Sequence, residues 1–263
     1  MLSRLTRPRA VAVCALPVVA LIATAVFAPL PFALAQPGMT ANVLGKYQGT
    51  QVITVSGAKT RPTGGQLRMT TIEATGPDAK VSLGDVLDSW FRTDRAVMPR
   101  DSVYPTGGDV KEIEKHNSEQ MRQSQDAATE AALKYLRLSP GKVKVRLSLA
   151  DVGGPSAGLL FTLGIIDKLD GDGSGGDLTG GRTIAGTGTI DAAGKVGAVG
   201  GVSLKTRAAS RDGATVFLVP KAECADAKAE LPKGLKLVPV TTLTGAVDSL
   251  RTLEKGKGPL PSC

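Results

Sequence analysis

Between Lys142 and Leu149 the sequence reads KVKVRLSL. Val143, Val145, Leu147 and Leu149 fall on one side, and Lys144, Arg146 and Ser148 on the other. That is the period of a strand with one buried face. A glycine-rich turn, DVGGPSAG from Asp151 to Gly158, follows at once and feeds an apolar run that ends at Leu169. A strand that turns within a few residues into an apolar helix must bury both elements, so the chain is committed to helices layered on a sheet.

The rest of the C-terminal half fits that constraint. Thr183 to Ile190 and Val196 to Val199 read as strands, Gly201 to Arg211 as a helix, and Ala214 to Val219 as a strand stopped by Pro220. Ala222 to Glu230 reads as a helix, Leu235 to Val240 as a strand and Leu243 to Leu253 as a helix. This alternation predicts an α/β or α+β domain. Upstream, Asp109 to Leu136 predicts a long helix, with Val110, Ile113, Asn117, Met121, Ser124, Ala128, Ala131 and Tyr135 at helical spacing. Gln51 to Ser56 and Gln66 to Ile72 read as strands, and Ser82 to Phe91 as a short amphipathic helix. VMPRDSVYPTGG, from Val97 to Gly108, reads as a loop. The expected organisation is an N-terminal membrane segment (1–36), a small region with strands (45–105), the long helix (109–138), the main domain (142–254) and a tail (255–263).

The run from Ala10 to Ala35 holds no charged residue and would reach about 39 Å as a helix, but Pro17, Pro29 and Pro31 interrupt it, and the last two are expected to end the helix near Ala28. Arg4, Arg7 and Arg9 precede it. Two readings fit. One is a single-pass anchor, a transmembrane helix with the arginines inside and the rest of the chain outside. The other is a signal peptide cut after ALAQ, near Ala35, releasing a secreted protein. Either places the main domain beyond the cytoplasmic membrane. Cysteine use is compatible with that compartment: apart from Cys14 there are two, Cys224 and Cys263, which form either one disulfide or two unrelated thiols. Two cysteines and the single histidine, His116, make no closed zinc site. The net charge is +8, but three of those charges are the leading arginines, and no basic block is interleaved with aromatics. Nucleic-acid binding is not expected.

Ser156 stands at the head of the apolar helix. It is a fitting N-cap, and it also sits where the free N–H groups of a helix start meet a developing negative charge. A serine nucleophile needs a base. His116 is flanked by Lys115 and Asn117 on what reads as an exposed helix face. Lysine serves only if it is neutral, which requires burial. VGGVSLKTRAA, from Val199 to Ala209, offers Lys205 among small and apolar residues; the other reading is a surface lysine on an amphipathic helix.

Three motifs in order, GGPSAG around Ser156, DLTGG around Thr179 and VGAVGGVSLKTRAA around Lys205, resemble the proteolytic domain of Lon proteases. The resemblance covers roughly residues 143–253 and is nearest to the membrane-anchored, extracytoplasmic Lon-like proteases of Gram-positive bacteria. It implies an α+β Lon proteolytic-domain fold (ribosomal S5 domain 2-like) and an endopeptidase using a Ser-Lys dyad. Carried over, Ser156 is the nucleophile and Lys205 the general base. Thr179 supports the lysine, and the backbone N–H groups of Ser156 and Ala157 hold the oxyanion. Polypeptides with unfolded or flexible segments are the implied substrates, a homo-oligomeric ring the implied assembly. There is no room for a PDZ domain between Leu138 and Lys142. GTIDAAGKV, from Gly188 to Val196, has five residues between its glycines where a phosphate loop needs four, and Val196 stands where Ser or Thr would bind magnesium. ATP and other cofactors are therefore not expected. The alternative function is a catalytically inert binding or assembly module of the same fold at the membrane.

Overall fold

A computed structural model describes residues 7–104, 109–149 and 154–263, without the side chains of 7–10 and 25–27. The chain forms two compact units, one of residues 1–35 and 74–109, the other of 36–73 and 110–263.

The first unit opens with helix α1 (Arg7–Phe27). Strand β1 (Phe32–Asn42) follows, and its first four residues belong to this unit. The next three strands, β2 (Lys46–Tyr47), β3 (Thr50–Gln51) and β4 (Ile53–Ser56), lie in the second unit, as does all but the last residue of β5 (Gln66–Ala74). The chain then returns to the first unit with α2 (Leu83–Trp90), β6 (Ala96–Pro99) and the one-turn α3 (Arg100–Val103). Phe32–Ala35 pairs antiparallel with β6. A capping box starts α2: Asp85 N–H donates to Ser82 Oγ, while Asp85 accepts from the Ser82 backbone N–H.

Here two expectations are corrected. Among the described residues no helix is long and apolar enough to cross a membrane. As Pro29 and Pro31 imply, α1 ends at Phe27, and the run's last four residues are strand. The loop read over Val97–Gly108 contains most of β6 and all of α3; Pro105–Gly108 lie outside the described residues.

The second unit continues with α4 (Val110–Tyr135), β7 (Lys144–Leu147), a 3-10 turn (Pro155–Ala157), α5 (Gly158–Leu169), β8 (Thr183–Gly186), β9 (Thr189–Ile190), β10 (Val196–Gly197) and α6 (Val202–Arg211). After these come β11 (Val216–Pro220), a 3-10 turn (Lys221–Glu223), α7 (Cys224–Ala229), β12 (Lys236–Val240) and α8 (Leu243–Lys255). Its main sheet runs β12-β11-β8-β5-β1. β11 is parallel to both β12 and β8, and β5 is parallel to β8. α6 and then α7 carry the chain between parallel strands, the connection that parallel pairing requires.

Both faces of this sheet are covered, which explains why β11 reads as one continuous apolar run. Val216 and Leu218 pack into the larger core with Ile184, Val238 and the helices α5 and α8. Phe217 and Val219 point the other way, to Ala185, Val202, Ala209 and Ala227 beneath α6 and α7. Every residue of α5 from Gly158 to Asp167 is buried. α4 lies along α5, burying Met121, Ser124, Ala128, Ala131, Ala132 and Leu133, while Val110 and Asn117 of the expected stripe are exposed. β7 pairs antiparallel with β4, Val145 opposite Val55 and Leu147 opposite Ile53. The small N-terminal region expected over 45–105 is thus divided: both strands read in it lie in the same unit as the C-terminal half, and residues 74–105 in the other.

Cys224 and Cys263 are joined as a disulfide, closing a loop with a sequence separation of 39. Such a link acts mainly by restricting the unfolded chain. Replacing both cysteines by serine should lower the unfolding free energy by about 2–4 kcal/mol, read as an earlier midpoint in denaturant titrations of the oxidised protein.

Candidate active site

The Ser156 turn is held from two sides. Gly154 precedes it in extended conformation, Pro155 takes the first helical position with its fixed φ, and Ala157 is buried beneath. Ser124 of α4 donates to the Pro155 carbonyl at 2.9 Å. From the sheet side, the Gly188 N–H donates to the Ser156 carbonyl at 2.8 Å, and the Leu159 N–H donates to the Gly188 carbonyl at 3.1 Å. Ser156 is half-buried, so its side chain lies at a surface and not inside the core. The N–H groups of Ser156 and Ala157 open the turn, where helix donors lack intrahelical acceptors. Asp151, Val152 and Gly153 of the motif lie outside the described residues.

The expected continuous strand from Thr183 to Ile190 is broken. β8 ends at Gly186, β9 begins at Thr189, and Gly188 between them has φ +148, a conformation in which a side chain is strained. Thr187, just before the break, is buried on the face that α6 covers. Its N–H donates to the Leu218 carbonyl at 3.1 Å, and its hydroxyl donates to the Ser156 carbonyl at 3.3 Å. Lys205 Nζ donates to that same hydroxyl at 3.3 Å. Ser156, Thr187 and Lys205 are therefore linked by two consecutive hydrogen bonds.

Lys205 is only 4% exposed, and Thr187 is fully buried. Burial pushes the Lys205 amine down to about 8, against smaller upward effects from the carboxylates of Asp226 and Glu223. At that value a substantial fraction of the amine is neutral in mildly alkaline solution, carrying a lone pair that can accept a proton.

Thr179 is not part of this group. It is fully buried, but its hydroxyl donates to the Gly64 carbonyl at 2.8 Å and accepts from the Gly181 N–H at 3.2 Å. Gly65, with φ +63, passes so close that a Cβ there would lie 2.5 Å from the Thr179 hydroxyl. Thr179 clamps one glycine turn to another, and the lysine's partner is Thr187. Both threonines stand beside glycines, so local sequence does not separate them. The signal for Thr187 was AGTGTI, where a threonine between glycines interrupts a strand pattern. His116 is half-buried on α4 and hydrogen-bonds Gln120 at 2.7 Å.

Beside the turn runs a groove of about 460 Å³, lined among others by Gln120, Gln123, Ser124, Pro155, Thr189 and Ile190. Its mixed lining and direct abutment on Pro155 suit an extended chain lying next to Ser156.

Comparison with protein families matches residues 106–250 to the Lon protease (S16) C-terminal proteolytic domain. The match spans more than half of the chain and includes α4, Ser156, Thr187 and Lys205. No curated protein matches the sequence.

A lysine held below its ordinary value costs stability wherever it is charged in the folded state. Between pH 8 and about 10.5 the unfolded chain binds the proton that the folded one has lost, so stability rises with pH across that window. Lys205→Met should be more stable than the parent by about 2–3 kcal/mol near pH 7. The gap should narrow as pH rises through that window, as measured by denaturant unfolding at a series of pH values.

Proposed function

Because the chain belongs to the Lon proteolytic-domain family, a family of serine peptidases acting on polypeptides, we propose that it is an ATP-independent endopeptidase in which Ser156 is the nucleophile and Lys205 the general base. The observation that carries this reading is the buried amine of Lys205, bridged through Thr187 to the residue that bears the hydroxyl. A neutral Lys205 accepts the proton from Ser156 Oγ as that oxygen attacks the scissile carbonyl. Thr187 fixes the amine by accepting one of its hydrogens. The N–H groups of Ser156 and Ala157 receive the charge that develops on the carbonyl oxygen. Lys205 then gives the proton to the leaving amine, and a water activated by the same lysine releases the acyl group.

The groove beside Pro155 accepts an extended segment, so flexible tails, loops and unfolded chains are the proposed substrates. ATP plays no part in this reading. Gly188–Val196 forms a β-hairpin closed by Asp191, which accepts from the Ala193 and Lys195 N–H groups, and not the strand–loop–helix of a phosphate site. A homo-oligomeric ring is proposed on the habit of the family alone.

We place the site outside the cytoplasmic membrane, with the N-terminal segment holding the protein at the membrane. Three things support this. Arg4, Arg7 and Arg9 lie before and within the first turn of α1. Val11, Leu16, Leu21 and Ile22 along it are all more than half exposed, which leaves an apolar surface in need of a cover. Finally, the Cys224–Cys263 disulfide suits an oxidising compartment. Cleavage near Ala35 is the weaker alternative, because Ala33 and Ala35 are buried in β1 and a cut there would sever a paired strand.

Against an unstructured peptide, Ser156→Ala should be inactive, and so should Lys205→Arg, since arginine does not become neutral. Thr187→Val should lose about tenfold or more in kcat. The rate for the parent should rise with pH and reach half its plateau near pH 8, following the loss of the lysine's proton. Full activity in Ser156→Ala would refute the nucleophile, and an active Lys205→Arg would refute the base.

A further inference from the structure

The helix that carries Lys205 does not cap itself. α6 begins at Val202, and the preceding Gly201, with φ +66, has no side chain to offer. The first N–H groups of a helix need acceptors from elsewhere. Here they come from another element: Asp226 Oδ2 accepts from the Val202 N–H at 2.9 Å and from the Ser203 N–H at 3.4 Å. Asp226 lies on α7, two residues beyond Cys224 of the disulfide.

α7 is in turn well fixed. Ala227 is fully buried with Val202 and Ala209. Lys228 donates to the Cys263 carbonyl, and Arg207 of α6 pairs with Glu230 at 2.5 Å. Lys205 sits within the first turn of α6, its N–H donating to the Gly201 carbonyl at 3.1 Å. Whatever sets the first turn of α6 therefore sets the root of the lysine side chain.

We propose that Asp226 is a positioning residue for Lys205, holding from α7 the turn out of which the amine reaches Thr187, and placing a negative charge at the positive end of α6. Its catalytic consequence rests on the dyad reading above; its placement does not. The carboxylates that act on Lys205 are Asp226 from α7 and Glu223 from the turn before it, and both favour the ammonium form. Asp226 also acts through the backbone of the lysine's own helix.

The test is a titration of Lys205 itself, by NMR of ¹³Cε-labelled lysine in the full chain, with the Lys205 signal assigned from Lys205→Met. Asp226→Asn keeps an acceptor oxygen but loses the charge. It should lower the Lys205 midpoint by about half a unit or more, and Glu223→Gln should lower it by less. The rising limb of the pH–rate profile should move to lower pH by the same amount. Asp226→Ala, which also loses the acceptor, should drop plateau kcat about tenfold beyond any fall in folded fraction, with Asp226→Asn restoring most of it. The proposal is overturned if the Lys205 titration is unmoved in Asp226→Asn, or moves no more than in Glu223→Gln. It is also overturned if Asp226→Ala retains the full plateau rate. A titration that shifts while the pH–rate limb stays put would leave Asp226 in its role and remove Lys205 as the base.

Discussion

The site depends on keeping one amine out of water. A lysine exposed to solvent is charged at any pH where proteins ordinarily work, and a charged amine has no lone pair with which to take a proton. Lys205 escapes this because α6 lies against the sheet, with Val202, Leu204, Ala208 and Ala209 all buried around it. The amine donates to the Thr187 hydroxyl, a neutral partner that orients it without adding charge. A carboxylate in the same position would have fixed the ammonium form and silenced the base.

The other half of the arrangement is a flaw in a strand. Alternation puts Thr187 on the side of Ala185, the face that α6 covers, and so toward Lys205. Gly188 relieves the chain from the strand path, and its N–H and carbonyl then engage Ser156 and Leu159. The break thus ties the Ser156 turn to the sheet. Ser124 on α4 completes the hold from the opposite side. Gly158 is part of the same fit, because a Cβ there would meet the Ser124 hydroxyl at 2.9 Å and Ile190 at 3.2 Å.

Elements whose neighbours are implied by their own period were readable from sequence. β7 alternates because one face is buried; β11 does not alternate because both are. Ser156 and Lys205 stood out because each sits in small residues at the start of a helix. What escaped depended on partners distant in sequence. Thr179 and Thr187 look alike locally, and only the path of the chain assigns one to Gly64 and the other to Lys205. The start of β1 was hidden inside a charge-free run, since lack of charge marks exclusion from water and not a choice between helix and strand. Asp226 lies 24 residues from the N–H it caps, and no capping rule based on adjacent residues reaches that far.

The lysine and the aspartate make opposite demands on one helix. A base that works uncharged is helped by the positive end of α6, which disfavours an ammonium nearby. The same helix start, with Gly201 for a cap, leaves backbone donors that need an acceptor, and the strongest acceptor is a carboxylate. Supplying Asp226 from α7 reconciles the two. Its oxygen is spent on the Val202 and Ser203 N–H groups, and the amine bonds elsewhere, to Thr187. The carboxylate therefore stabilises the helix by direct contact and acts on the charge of the amine only through space. Burial outweighs that residual attraction and leaves Lys205 near 8, low enough to lose its proton and still basic enough to take one from an alcohol.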